Sequence, residues 1–457
     1  MGFGAFGCGC NCGVTVYRVN PSTGEIIWSK SRGAGGSLVV ADQALAVDGF
    51  SIYTFGTEVT GKDDGVLMKW ADDGTDASLV WHSDRSGGTA LVVPGAEDPA
   101  PNRDHIAVSP DGTVVWALGA NGIFSYHAST GARRGAYTGP APVPTGTWSD
   151  AGAGSAMVVD PSSNHVYVST GSGKIYKFDS NCAVVASAFA SAAVEDMCIV
   201  GSELAVSGNS SDIGSFTIDL FDLSLVRLDR WLASTHTSPA PSSTPLFELP
   251  GRNDLYTAFR FGGNVYPWAD QPRIGYFNAV SFGSGFVVRS EMRIKFGLDY
   301  PSTVFNHPTR GPIPSGTEVN AVWIALMNAG GSITESWWDK LDGETQGDYG
   351  MPMAGDGSHI YVANGDQFEK RDSGGNLIWS VSDSVSAAGL FPWNDIRLGS
   401  AFILVTGNIQ EGTASCIEKG DGSLRWQTDH QFGDLSSVVT SDDRIYVVGN
   451  KGGVSEV

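Results

Sequence analysis

The chain has 457 residues, 60 of them glycine, with 41% hydrophobic and 17% charged residues and a formal net charge of −21. So acidic a chain is excluded as a duplex nucleic-acid binder, which needs a basic surface to displace counterions, and glycine-rich, charge-poor composition argues against long charged helices. Length leaves domain count open, because a repeat architecture can spend the whole chain on one domain.

Residues 1–13 read MGFGAFGCGCNCG. They have neither the positive region nor the apolar core of a secretory signal. Phe6 stands where a myristoylation signal needs Ser or Thr. No apolar run reaches the length of a membrane span. Cys8, Cys10 and Cys12 form the one local cluster that invites chemistry, since soft thiolates bind zinc, copper or an iron–sulfur cluster. A single residue separates them, whereas the usual metal-binding spacings have two or more. The favoured reading of 1–13 is therefore a contact or anchoring arm, packed on a partner or disulfide-bonded to another chain, with a metal site as the alternative. No other cofactor is expected.

Residues 14–457 read as one all-β domain. "NPSTGEIIW" (20–28) is a turn ending at Gly24 followed by a strand ending at Trp28. A second phrase, a turn followed by an aromatic-centred strand, appears as "SPDGTVVWALGANG" (109–122), "DPSSNHVYVSTGSG" (160–173), "AGDGSHIYVANGDQ" (354–367) and "TSDDRIYVVGNKGG" (440–453). Its central position falls at Tyr53, Trp116, Tyr167, Ala205, Tyr256, Trp323, Tyr361, Leu404 and Tyr446. Tyr361, Leu404 and Tyr446 are 43 and 42 residues apart, the period of a four-stranded propeller blade. Elsewhere Pro-rich connectors (93–103, 138–148, 234–245 and 307–318) loosen the period. Nine anchors set against the commoner rings give an expectation of eight four-stranded blades, with seven to nine as the range. The ring is expected to close by pairing the N- and C-terminal segments, which removes free sheet edges.

Catalytic signatures are sparse. The eight histidines are scattered, and His165 and His359 fall at equivalent repeat positions. The phrases "KDDG", "ADDG" and "SDD" lack calcium-loop spacing and read as hairpin turns. Cys182, Cys198 and Cys416 read as small buried core residues. Trp148, Trp268, Trp337, Trp338 and Trp393 lie at or near inter-strand segments and are candidate contacts for a protein or sugar partner.

The form Asn20-x-x-Thr23-Gly24-x-x-x-Trp28 resembles the tryptophan-docking repeat of quinoprotein-like β-propellers. "EKGDGSLRW" matches at Glu418, Gly422 and Trp426, and "RDSGGNLIW" matches at Gly375 and Trp379 with one residue fewer. His127, Thr130 and Gly131 keep the turn alone. The resemblance implies a propeller in which Thr23, Gly24, Trp28, Gly375, Trp379, Gly422 and Trp426 dock blade on blade. Its enzymatic members bind pyrroloquinoline quinone with calcium and carry a disulfide between adjacent cysteines, and no two cysteines here are adjacent. Another branch assembles outer-membrane proteins and requires an export signal and a lipidated Cys. The expected function is a non-catalytic structural, adhesion or protein-interaction component of a larger assembly, a virus or phage particle first among the settings. A quinoprotein oxidoreductase and a lectin-like glycan binder are the alternatives. The expected partners are other proteins of the assembly, or a cell-surface receptor or glycan.

Overall fold

The computed structural model describes residues 15–31, 45–57, 64–83, 91–92, 106–119, 122–138, 157–170, 173–191, 193–210, 215–234, 260–261, 264–265, 274–282, 285–295, 305–307, 311–313, 318–328, 333–340, 353–364, 367–373, 375–382, 395–406, 414–428 and 435–449. The segment 1–13, with Cys8, Cys10 and Cys12, lies outside them, as do Trp148, Tyr256, Trp268 and Trp393.

Among the described residues every element is a β-strand, and every strand pair is antiparallel. Strands β1 (Thr15–Val19) and β2 (Ile26–Ser31) flank the first turn. There the Asn20 carbonyl accepts from Gly24 N at 2.9 Å, and Gly24 sits at φ 75°. A meander follows, of β3 (Leu45–Asp48), β4 (Ser51–Thr57), β5 (Asp64–Asp72) and β6 (Ala77–His82), with β7 (Leu91–Val92) added against β5. The next sheet runs β8 (Ile106–Val108), β9 (Val114–Gly119), β10 (Gly122–His127), β11 (Arg133–Tyr137). Then come β12 (Met157–Val159), β13 (Val166–Ser169), β14 (Lys174–Phe178) and β15 (Val184–Phe189), and β16 (Ala193–Val200), β17 (Glu203–Ser210), β18 (Ser215–Asp222) and β19 (Arg227–Ser234).

A small hairpin, β20 (Arg260–Phe261) with β21 (Asn264–Val265), precedes an interrupted sheet. That sheet begins with β22 (Ile274–Phe282) and β23 (Gly285–Lys295). The pair β24 (Phe305–His307) and β25 (Gly311–Ile313) intervenes, and β26 (Glu318–Asn328) and β27 (Ile333–Lys340) complete it. The last two meanders are β28 (Met353–Gly355), β29 (His359–Asn364), β30 (Gln367–Asp372), β31 (Leu377–Ser382), and β32 (Asp395–Leu398), β33 (Phe402–Thr406), β34 (Ala414–Glu418), β35 (Leu424–Thr428). Finally β36 (Leu435–Val439) and β37 (Ile445–Gly449) join the first two strands in one sheet of order β2-β1-β37-β36. Both ends of the described chain thus share a sheet, with Arg18 opposite Tyr446.

This is a β-propeller of four-stranded blades. The expectation of eight four-stranded blades, within a range of seven to nine, needs correction: among the described residues seven sheets have four strands, and the sheet of β3 to β6 has a fifth because β7 pairs with β5. The first strand of each sheet touches the first strand of the next, from β3 through β8, β12, β16, β22, β28, β32 and β36, and β36 also touches β3. The anchors Tyr53, Trp116, Tyr167, Ala205, Tyr361, Leu404 and Tyr446 all lie in second strands and are buried. Trp323 does not fit that series, because the β24–β25 hairpin interrupts its sheet and leaves β26 as the third strand.

The core lies between sheets. Val16, Trp28 and Tyr446 of the shared sheet pack with Leu45, Ile52 and Trp70 of the next, and Tyr53 and Trp81 pack with Ile106, Val115 and Phe124 of the one after. A lone blade would expose both apolar faces, so each sheet is stable only when packed against its neighbours.

Polar ties between first-hairpin turns accompany this packing. Asp111 accepts from Ser109 Oγ at 2.6 Å, from Thr113 N at 3.0 Å and from Asn164 Nδ2 of the next sheet at 2.5 Å. Ser400 likewise donates to Asp443 across a joint, and the Arg444 guanidinium lies 4.0 Å from the centre of the Phe50 ring. The hydrogen bond from Ser109 does most to hold the Asp111 carboxyl well below its ordinary value of 3.8. A depressed folded-state value stabilises the fold above the unfolded value and is lost as pH falls through the folded one. Asp111→Asn is therefore expected to lower the melting temperature at neutral pH, and the gap from the parent should close as pH falls below 3.8. Thermal melts from neutral pH into that acid range check this.

Candidate functional site

The bulge that places each docking residue is the same in every large sheet. Between third and fourth strands the register skips one residue, leaving Ile27, Val80, Arg134, Val185, Leu228, Thr334, Ile378 and Arg425 unpaired. The residue after the skip is Trp28, Trp81, Gly135, Ala186, Asp229, Glu335, Trp379 or Trp426. At Trp28, Trp81, Gly135, Ala186, Trp379 and Trp426 this position meets the next blade's turn.

Three tryptophans there close on a glycine. A Cβ on Gly24 would lie 2.7 Å from the Trp426 ring, one on Gly131 2.6 Å from Trp81, and one on Gly422 2.9 Å from Trp379. These glycines have φ of 75°, 74° and 78°, which glycine adopts without a Cβ penalty. Each indole N–H donates to the carbonyl three residues before its glycine: Trp426 to Pro21 at 2.9 Å, Trp81 to Ala128 at 3.0 Å, Trp379 to Lys419 at 3.2 Å. The ring's one polar group is thereby satisfied where it is buried. Gly24 and Trp28, in one phrase of sequence, serve different joints. Thr23 shapes its own turn, accepting from Glu25 N at 3.3 Å.

Trp28 docks differently. Its Nε1 donates to Asp72 Oδ1 at 3.0 Å, and the same buried carboxylate accepts from Arg18 Nη1 at 3.1 Å, Gly74 N at 2.8 Å and the Tyr446 hydroxyl at 2.5 Å. Asp72 thus ties strands from both ends of the described chain to the following blade. Burial, with the adjacent Asp72, pushes the Tyr446 phenol up.

A cation row reinforces the joints. Tyr53, Lys69 and Trp81 stand opposite one another across three strands, as do Tyr361, Lys370 and Trp379, and Arg18 takes the middle place between Tyr446 and Trp28. Lys69 Nζ donates to the Ala128 carbonyl at 3.0 Å and Lys370 Nζ to that of Lys419 at 2.8 Å, the acceptors their tryptophans use. Lys177, opposite Tyr167, reaches the Leu223 carbonyl at 2.8 Å. These lysines were not singled out from the sequence. A cation at a strand centre reads as a solvated side chain until its register against Tyr and Trp is known.

Two joints invert the size relation. Gly135 occupies the docking position before the turn of Cys182, and a Cβ on it would lie 1.9 Å from the Asn181 carbonyl oxygen. Ala186 occupies it before the turn of Leu225 and packs against the cluster that holds Leu225. Cys182 and Leu225 stand where the other described turns have glycine, at φ 59° and 64°, and both side chains are buried. Where the docking residue is small, the turn residue is large.

Of the expected docking residues, Gly24, Trp28, Trp379, Gly422 and Trp426 are at joints, and Gly375 is a left-handed turn residue at φ 79°. Trp337 and Trp338 lie inside β27, the outermost strand of its sheet, rather than in a connector, opposite Ile324 and Trp323. Cys182 and Cys416 are buried thiols pushed up to about 12 by burial, and Cys198 is half-buried. Among the described residues no three of His, Cys, Asp and Glu are grouped so as to hold a metal ion. No helix of the described chain is long and apolar enough to cross a membrane.

A family profile described as outer membrane protein assembly factor BamB matches residues 13–215. Among solved structures, Saccharomyces cerevisiae Sqt1 is similar at a TM-score of 0.51 with 10% identity, covering 90% of this chain and 96% of that one. Chaetomium thermophilum Sqt1 bound to the N-terminus of ribosomal protein L10 gives 0.51 and 12%, covering 88% and 92%. BamB from Moraxella catarrhalis gives 0.45 and 11%, covering 96% and 92%. At such identities the likeness shows the fold alone. No curated protein matches in sequence.

Gly24→Ala is expected to cost about 2–4 kcal/mol, from overpacking against Trp426 plus a left-handed alanine. In a Trp426→Leu background the same change should cost about 1 kcal/mol, because only the backbone cost remains. Urea unfolding of the four proteins measures the coupling. At an inverted joint, Ala186→Trp and Leu225→Gly should each destabilise, by about 1–3 kcal/mol. Together they should cost less than the sum by at least about 1 kcal/mol. Strict additivity would refute the size exchange.

Proposed function

We propose that this chain, which is a quinoprotein-like β-propeller, acts as a non-catalytic protein-interaction propeller: a structural or adhesion component of a larger assembly, such as a virus or phage particle. The observation that carries this reading is a recurrent apolar pair on the outermost strands. Ile26 and Ile27, Leu79 and Val80, Val184 and Val185, and Leu377 and Ile378 are all exposed just before the docking position. Edge strands of free monomers are usually guarded by charge, and repeated apolar exposure marks contact surface.

The reading includes a ring closed through the sheet of β2, β1, β37 and β36, supported by the contacts of β36 with both β32 and β3. The Sqt1 structure with the N-terminus of ribosomal protein L10 is a case in which a protein of this fold holds a protein segment. The arm of residues 1–13, with Cys8, Cys10 and Cys12, and Trp148, Trp268, Trp337 and Trp393 are assigned as further contacts.

The test is the mass of the particle in which the chain travels when isolated gently from its source. A large assembly of fixed stoichiometry is expected. A free monomer of 48.0 kDa overturns the reading.

A further inference from the structure

We propose that the outer wall where β2 meets β6 is a docking surface for a basic, apolar-bearing segment of a protein partner. This deepens the protein-interaction reading and rests on it.

Four apolar side chains are presented there: Ile26 and Ile27 at 40% exposure, Leu79 at 37% and Val80 at 49%. They belong to one surface, because β2 and β6 are in contact and Lys30 Nζ of β2 meets Asp76 Oδ1 beside β6 at 2.7 Å. The support beneath is rigid, since Trp28 and Arg18 are fixed to Asp72.

The unpaired Ile27 and Val80 kink both edges, and a bulge of this kind discourages addition of another strand. The wall therefore offers side chains rather than a ladder of backbone groups. Its charges select the sign of the occupant. Exposed Glu25, Asp73 and Asp76 flank the apolar four, while of the nearby cations Lys30 pairs with Asp76 and Arg18 is turned inward onto the buried Asp72, in a chain of net charge −21. Backbone hydrogen bonds from Thr75 and Asp76 hold the Asp73 carboxyl below its ordinary value, and the Lys30 ammonium does the same for Asp76. Both carboxylates stay ionised throughout the physiological range. An apolar wall rimmed in this way complements lysine or arginine interspersed with aliphatic residues, and repels an anionic membrane or a second acidic copy.

The probe is a synthetic peptide alternating lysine and leucine, compared with its glutamate–leucine counterpart by fluorescence anisotropy on the full chain. The Lys–Leu peptide is expected to bind and the Glu–Leu peptide not to. Ile27→Thr with Val80→Thr, both β-branched and exposed, should weaken binding roughly tenfold. The same change at Val184 and Val185, exposed on the outer strand of a different blade, should leave it unaltered. Equal binding of both peptides, unchanged binding by the Ile27/Val80 variant, or equal loss at both walls overturns the proposal. If the chain still travels in a large assembly while any of these outcomes is found, this surface is refuted and the interaction reading stands.

Discussion

A blade of this propeller has two apolar faces and can bury them only against its neighbours, so the joint between one fourth strand and the next turn bears the whole architecture. At three joints that contact is an indole on a glycine whose Cβ would stand under 3 Å from the ring. The indole N–H is spent on a carbonyl of the same turn, so a large apolar surface is removed from water without stranding a donor. Glycine is required twice over, for the left-handed backbone and for the space. A turn residue with a side chain is accepted where the opposite residue has given up its own, as Cys182 and Leu225 show against Gly135 and Ala186.

The polar groups at these joints follow the same logic. A buried lysine or carboxylate is costly unless paired. Lys69, Lys177 and Lys370 each end on a turn carbonyl of the following blade, and Asp72 accepts from Arg18, Trp28, Tyr446 and Gly74 N. Ionisable groups that resemble catalytic candidates in isolation are thus structural in context. Asp72, within a phrase that reads as a simple hairpin turn, illustrates the difference. It does make the turn, through Gly74 N, and its remaining lone pairs hold two blades together.

Much of this was legible in sequence because the repeat is local. The turn phrase, the aromatic second strand and the interval from Tyr361 to Tyr446 required only neighbouring residues, and they located the second strands correctly in every sheet without an insertion. What escaped is relational. Gly131 and Trp81 are 50 positions apart in sequence and meet across a joint, so the turn at His127 looked like a copy that had lost its tryptophan. The exchange of Ala186 against Leu225 is invisible in either residue alone. Trp323 misled because an aromatic at the centre of a strand marks a second strand only where nothing is inserted before it. The fifth strand of the β3 to β6 sheet, β7, is likewise announced by no period.

The bulge gives reason to regard the outer apolar pairs as selected rather than incidental. Side chains at i and i+2 share a face of a strand, and the extra residue shifts this parity so that the docking residue turns toward the next blade and its predecessor is left outside. The fold thus dictates that the unpaired position be outward. It does not dictate what stands there, for Arg134, Thr334 and Arg425 occupy the equivalent place in three sheets. Ile27, Val80, Val185, Leu228 and Ile378 are therefore not demanded by blade geometry, and an exposed edge would be better guarded by the arginines. Apolar side chains kept half exposed at a position that tolerates charge bury only part of their surface on the propeller, and a surface laid over them would remove the remainder from water.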